Sequence, residues 1–415
     1  MTSRTWPAVS LLLALGAGCG SNSPGPSSAG QGFQLASPAA NVMPITVNGS
    51  LCLASAYLDE PCVSVTVCSP GGTTNCQTID GILLDTGSTG LRIFQQALIV
   101  PLQQVASGSG SLAECIQYGD GSSDWGPVQM ANVVLGGEPA VAVPVQVINA
   151  SFSSIPSACS GADQDPTDAG FNGILGIGIF AQDCGASCTS SGGSGWYYSC
   201  DAAGSGSGCA QVAVPLDAQV PNPAVALPQD NNGVIVQLPS VPAAGTQSLT
   251  GALVLGLGTQ SNNKVPSTVA MYSVDQYGEF ATQVGSQSYA AFLDTGSDGL
   301  FFAPPSANQL PTCTCPAGAS ASQCADYAQW FCPAAPVDLS ATNSGATGTP
   351  IGSVPFQIVN FESLGNSPNN VFPNIGGPFP SGEFDWGLPF YFGLDVYFGF
   401  EGMSSSLGSG PYYAY

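Results

Sequence analysis

The sequence predicts an all-β chain made of two related halves. Three observations predict it. Gly (54) and Pro (34) are abundant while charged residues are only 7% of the chain, so Glu/Lys-faced amphipathic helices have no material. Short apolar runs recur between Gly, Pro and Ser, the pattern of strands and turns. One phrase occurs twice: Ile82-Leu83-Leu84-Asp85-Thr86-Gly87-Ser88 and Ala291-Phe292-Leu293-Asp294-Thr295-Gly296-Ser297. The aspartates are 294 − 85 = 209 residues apart, which points to a duplicated domain and not to a short repeat. A length of 415 residues holds two domains, and 44% hydrophobic residues are ample for their core.

Charge and composition exclude several function classes. There are 26 acidic and 3 basic residues, the bases being Arg4, Arg92 and Lys264. With Arg4 in an export signal, the rest carries −26 + 2 = −24. That field repels nucleic acid, which is excluded as a partner. Self-repulsion falls as carboxylates protonate, so acid tolerance is expected; surface solubility is the plainer reading of the same charge. The chain has no histidine, which removes Ser-His-Asp and Cys-His chemistry and every His-ligated metal site.

Residues 1–19 read as a signal peptide, with Arg4, an apolar stretch over Ala8–Leu15, and small residues before Cys19. The pattern resembles a bacterial lipobox, which makes Cys19 the lipidation site and ties the chain to a membrane through a lipid anchor; an ordinary secretory signal is the alternative. Its apolar stretch is too short for a permanent span. Residues 20–40, rich in Ser, Gly, Pro and Gln, read as a flexible linker. The expected location is the bacterial cell envelope, lipid-anchored, or outside the cell.

Fifteen cysteines minus Cys19 leave 14, an even number that predicts disulfides in an exported chain. Nearness suggests Cys68 with Cys76, Cys52 with Cys62, and Cys115 with Cys159. Cys184, Cys188, Cys200 and Cys209 form one local cluster, and Cys313, Cys315, Cys324 and Cys332 another. Four-cysteine metal sites are the alternative there, but the spacings are not of the paired type, and no metal is expected.

Strands are expected over Pro44–Val47, Val63–Val67 and Ile82–Leu84, then over Val128–Leu135 and Val143–Ile148. Gln117 to Ser123 reads as a hairpin turn with Tyr118 at its edge. Phe171 to Gly178 is an apolar run spaced by glycines, suited to a strand packed under another backbone. Ala181 to Cys209 reads as a surface loop stapled by its own bridges. Asn222 to Leu238 carries the crossover. Phe384 to Phe400 reads as two aromatic strands joined by a turn.

An apolar strand that ends in a carboxylate on a tight Gly turn aims that carboxylate rigidly. Two such turns facing each other put two carboxylates in one site, where like charges share a proton and divide acid and base work.

These residues resemble the pepsin-type aspartic proteases. The two Asp-Thr-Gly-Ser turns, the flap-like Tyr118-Gly119-Asp120-Gly121-Ser122, the Asn172–Gly178 buttress and the closing Trp386–Phe400 run keep the family's order across about Asn41 to Gly402. The resemblance implies a bilobal, double β-barrel fold with a cleft between lobes: residues 41–215 as the N-terminal lobe, 216–403 as the C-terminal lobe and 404–415 as a tail. It implies that Asp85 and Asp294 activate water and protonate the leaving amine of a peptide or protein substrate, without cofactor. Gly87 and Gly296 would permit the turns, Thr86 and Thr295 would cross-bond beneath them, and Ser88 and Ser297 would bond the outer carboxylate oxygens. Tyr118 and Gly119 would form the flap. Arg92 stands where the family usually has a Trp that bonds the flap tyrosine. Near the dyad it would favour ionised carboxylates or bind an acidic substrate; alternatively it points outward to a surface acid. No propeptide is read ahead of the fold, so no zymogen switch is expected. A monomer is expected. A carbohydrate hydrolase is disfavoured, because identical aspartates on identical turns suit a symmetric pair.

The chain is also similar to an uncharacterised bacterial family of exported, often lipid-anchored proteins, through CQTIDGILLDTGSTGLRIF, FDWGLPFYFGLDVYFGFEG and the ending GPYYAY. That likeness supports fold and location. The functional expectation is an aspartic-type endopeptidase; the alternative is a catalytically inactive envelope lipoprotein of the same fold that binds or supports.

Overall fold

The computed structural model describes residues 33–190, 195–201, 208–305, 309–316, 318–379 and 382–415. The expected signal peptide, Cys19 and most of the 20–40 linker lie outside the described residues. The fold is nearly all β, 41% strand against 10% helix, with a closed six-stranded barrel and a half-barrel.

A long sheet runs through the molecule. Its strands pair in the order Pro61–Cys68, Val42–Val47, Leu249–Leu255, Gly233–Leu238, Leu394–Gly399, Tyr412–Ala414 and Met271–Ser273, each antiparallel to the next. Strands from both ends and the middle of the sequence therefore form one surface. Val234, Val236, Leu253, Leu255, Val396 and Phe398 lie in the main core, on one face. Ile235, Val254 and Tyr397 pack on the other, as the two-residue period of a strand requires.

The segment read as a tail is not one. Tyr412, Tyr413 and Ala414 are buried and form the strand Tyr412–Ala414. The linker also ends earlier than expected: Leu35 and Ala36 pack on the body, and the Ala36 amide donates to Gln237 Oε1 at 2.8 Å. The insert after Ala181 is more than a surface loop. Its described part contributes the strand Tyr197–Cys200 to the edge of Gly110–Gln117, with Tyr197 fully buried. The two aromatic strands near the end are not a hairpin. Glu383–Trp386 joins a separate seven-stranded sheet, while Leu394–Gly399 joins the long one.

All 14 cysteines after Cys19 are in disulfides: 52–62, 68–76, 115–159, 184–188, 200–209, 313–332 and 315–324. Both clusters pair internally, so neither is a four-cysteine metal site. Seven bridges fit an oxidising, non-cytoplasmic compartment. Among the described residues no helix is long and apolar enough to cross a membrane.

Candidate functional site

The same three-strand arrangement carries each Asp-Thr-Gly-Ser turn. In the first half, Cys76–Asp85 runs parallel to Gly173–Ile177, which pairs antiparallel with Thr89–Phe94. In the second, Gln287–Leu293 runs parallel to Glu383–Trp386, which pairs antiparallel with Leu300–Phe302. Apolar residues dictate this: Ile82, Leu84 and Leu293 are sealed in the core. The chain can leave such a strand only by a tight turn, and the turn is pinned from behind. The Gly178 amide donates to Ser88 O at 2.9 Å, and the Leu388 amide donates to Ser297 O at 2.8 Å. A side chain at Gly178 would strike the Thr86 and Ser88 carbonyls at 2.8 Å, which is why the buttress is glycine-rich.

The structure brings the two turns face to face. A Cβ on Gly87 would lie 2.5 Å from Asp294 Cγ, and one on Gly296 would lie 2.9 Å from Asp85 Cγ. Each glycine makes room for the opposite carboxyl. The Gly87 amide donates to Asp85 Oδ1 at 2.8 Å and to Asp294 Oδ1 at 3.2 Å, and the Gly296 amide donates to Asp294 Oδ1 at 2.7 Å. The Gly87 amide is thus shared between the two carboxyls. Ser88 Oγ donates to Asp85 Oδ2, and Ser297 Oγ donates to Asp294 Oδ2 at 2.8 Å. Beneath them the threonines cross. Thr86 Oγ1 donates to Leu293 O at 3.1 Å, and Thr295 Oγ1 donates to Leu84 O at 2.6 Å. Burial, then the Asp85 charge, then Asp385 hold the Asp294 carboxyl well above the ordinary carboxylate range.

Tyr118 sits in the turn between Gly110–Gln117 and Ser123–Val134. Its hydroxyl donates to Asp124 Oδ2 at 2.7 Å. Asp124 is fully buried, and burial followed by the nearby Asp163 charge raises its pKa to about 7. At the tip, Gly119 faces Phe379 of the second half, 3.6 Å from where its Cβ would be. A groove of about 230 Å³ opens beside the first Asp-Thr-Gly-Ser turn, lined by Ser88, Phe180, Tyr277 and Phe292 among others.

Arg92 takes neither expected position. It is 1% exposed, so it does not reach a surface acid, and its guanidinium is already engaged, so it does not offer a cation to an acidic substrate. Nη2 lies 3.0 Å from Glu114 and 3.3 Å from Asp183, while Nη1 donates to Thr89 O at 2.6 Å. Asp183 accepts from Tyr197 Oη at 2.8 Å. Burial and Glu114 push Asp183 well above the ordinary range. The cation thus serves as an internal counter-charge under the hairpin, and Asp124 bonds the tyrosine where the resemblance has a Trp.

Three contributors lie outside the two turns, the hairpin and the buttress. Asp385, from the aromatic run Phe384-Asp385-Trp386, is 4% exposed, with Oδ2 2.6 Å from Ser297 Oγ. Tyr391 Oη is 2.9 Å from Thr86 Oγ1. Tyr57 Oη donates to Gly296 O at 3.4 Å. Nothing local in the sequence marks them; only the register opposite the second turn could have singled out Asp385.

Residues 37–415 match the model of a family described as "Protein of unknown function (DUF3443)". The chain belongs to that family. No curated protein matches it. In this DUF3443 protein the matched region includes both turns, the hairpin and the final strand.

Proposed function

We propose that the protein is an aspartic-type endopeptidase with a pepsin-like, bilobal fold, in which Asp85 and Asp294 are the catalytic dyad. The observation that carries this reading is the reciprocal fit of the two turns, each glycine cleared for the opposite carboxyl. Two facing carboxyls bind a proton between them, because close like charges resist full ionisation. The ionised member takes a proton from water as the water attacks the peptide carbonyl. The protonated member gives its proton to the departing amine, and the pair is reset. Amides at Gly87 and Gly296 and hydroxyls at Ser88 and Ser297 hold the oxygens in one orientation throughout. The hairpin bearing Tyr118 and Gly119 covers an extended peptide lying across the two turns. The protein is held in the cell envelope by lipidated Cys19, or secreted.

A peptide-library digest from about pH 3 to about pH 7 tests the reading, with Asp85→Asn and a pepstatin-like inhibitor as controls. Cleavage that stops with either control is expected. Cleavage that survives Asp85→Asn removes the dyad from the mechanism, and a well-folded protein that cuts nothing favours a binding or structural module. Cys19→Ala should release the protein from membranes; retention there would defeat the anchor.

A further inference from the structure

At one register position the two halves differ in polarity. Beside the first aspartate strand, Ile174 stands opposite Leu83; beside the second, Asp385 stands opposite Phe292. An apolar residue in one half is a buried carboxyl in the other. Asp385 Oδ2 is 2.6 Å from Ser297 Oγ, which is 2.8 Å from Asp294 Oδ2. Asp385 Oδ1 has no hydrogen-bond partner among the described residues.

Counting protons constrains the arrangement. A hydroxyl has one hydrogen, so Ser297 donates to one carboxyl only. The other carboxyl must bring its own proton and donate to Ser297. Among the described residues the bases are Arg92, engaged by Glu114 and Asp183, and Lys264, which is exposed. Neither neutralises Asp385. The charged groups around it are acids: Asp294, Asp85, Asp298 and Glu383. A buried carboxyl without a counter-charge stays neutral.

We propose that Asp385 is a positioning residue of the dyad, a neutral carboxylic acid whose O–H donates to Ser297 Oγ and so aims the serine hydroxyl at Asp294 Oδ2. Its catalytic consequence rests on the endopeptidase reading; its protonation does not. The relay makes the two halves unequal. Among the described residues the Ser88 hydroxyl bonds one carboxyl, Asp85, whereas the Ser297 hydroxyl lies between two, Asp294 and Asp385. When Asp385 ionises, it no longer donates to Ser297, and its new negative charge beside Asp294 makes Asp294 grip a proton more tightly. Loss of activity on the alkaline side therefore reports Asp385.

The test uses the full chain and two readouts. Infrared spectra at neutral pH should show a protonated-carboxyl band, at high frequency because Oδ1 is unpartnered, that disappears in Asp385→Asn and moves in Ser297→Ala. In peptide cleavage, Asp385→Asn keeps a donor toward Ser297; it should retain acid-side kcat within a few-fold and lose the wild-type alkaline limb. Asp385→Leu has no donor and should lose about tenfold in kcat with KM unchanged, the size of one hydrogen bond. A spectrum in which Asp385→Asn removes no protonated carboxyl overturns the proposal even if the enzyme is active. So does an Asp385→Leu variant with wild-type kcat and pH profile. A wild type that cleaves nothing but loses the band in Asp385→Asn removes the endopeptidase reading and leaves the Asp385 proton in place.

Discussion

Thr86 and Thr295 accept each other's backbone amides: Thr86 N–H donates to Thr295 Oγ1 at 3.1 Å, and Thr295 N–H donates to Thr86 Oγ1 at 2.9 Å. Both hydroxyls then donate onward to the opposite strand, so neither side chain can be lost alone. Thr86→Val or Thr295→Val strands a buried amide of the other half. Each should cost about 1–3 kcal/mol in urea unfolding, while Thr→Ser at either site keeps the oxygen and costs less. A Val variant as stable as wild type would show that the cross does not hold the turns.

Stability should fall as pH rises from the ordinary carboxylate range to about 8. Burial first, then neighbouring charges, raise Glu60 to about 8, Asp124 to about 7 and Asp163 to about 6. A carboxyl with a raised folded pKa binds protons more readily folded than unfolded. Its favourable contribution is complete below the unfolded pKa and is lost as pH climbs through the folded one. Urea midpoints should therefore be higher at about pH 4.5 than at about pH 8. The reverse order would show that these acids are not buried in solution.

Removing Arg92 should be severe. Arg92→Met leaves Glu114 and Asp183 buried without their counter-charge, at a cost of roughly 3–5 kcal/mol. The triple variant Arg92→Met, Glu114→Gln, Asp183→Asn should recover most of that loss, because the stranded charges go with the cation. Denaturation of all three proteins checks it; no recovery in the triple variant would mean that packing, not charge, is Arg92's contribution.

Tyr118→Phe deletes the hydroxyl that reaches Asp124. On the endopeptidase reading it should lower kcat/KM by about tenfold and stability by at most about 1.5 kcal/mol. Unchanged kinetics would remove the hairpin from substrate handling.

The bridges should differ in worth by the loops they close. Cys115–Cys159 spans 44 residues and Cys184–Cys188 spans 4. Chain entropy assigns about 4 kcal/mol to the first and about 2 kcal/mol to the second. Paired Cys→Ala variants in thermal unfolding would test the order, and equal losses would argue against an entropic origin.

Much of the site was legible because its signals are local. The two Asp-Thr-Gly-Ser turns, the Tyr118 hairpin and the Asn172–Gly178 buttress are short phrases; close contact dictates the glycines of the turns and the buttress, and a positive φ dictates Gly121 in the hairpin. The disulfides 52–62 and 68–76 follow from nearness for the same reason. What stayed hidden depends on distant partners. Arg92 meets Glu114 22 residues on and Asp183 91 residues on, and no periodicity marks a buried acid for a particular base. Asp385 sat inside an aromatic run and read as one residue of a strand; its role depends on standing opposite Phe292. Tyr412–Ala414 looked like a tail because three residues carry no period, and only their neighbours in the sheet bury them.

The first strand has a consequence for assembly. Val42 pairs with Val254, 254 − 42 = 212 residues later, while no disulfide spans more than 44 residues. A chain emerging N-terminus first into an oxidising compartment can therefore close its early bridges one after another while Val42–Val47 still has an unmated edge. Bridge formation does not have to wait for the second half, and until that half arrives the edge of Val42–Val47 is open to pairing with other strands.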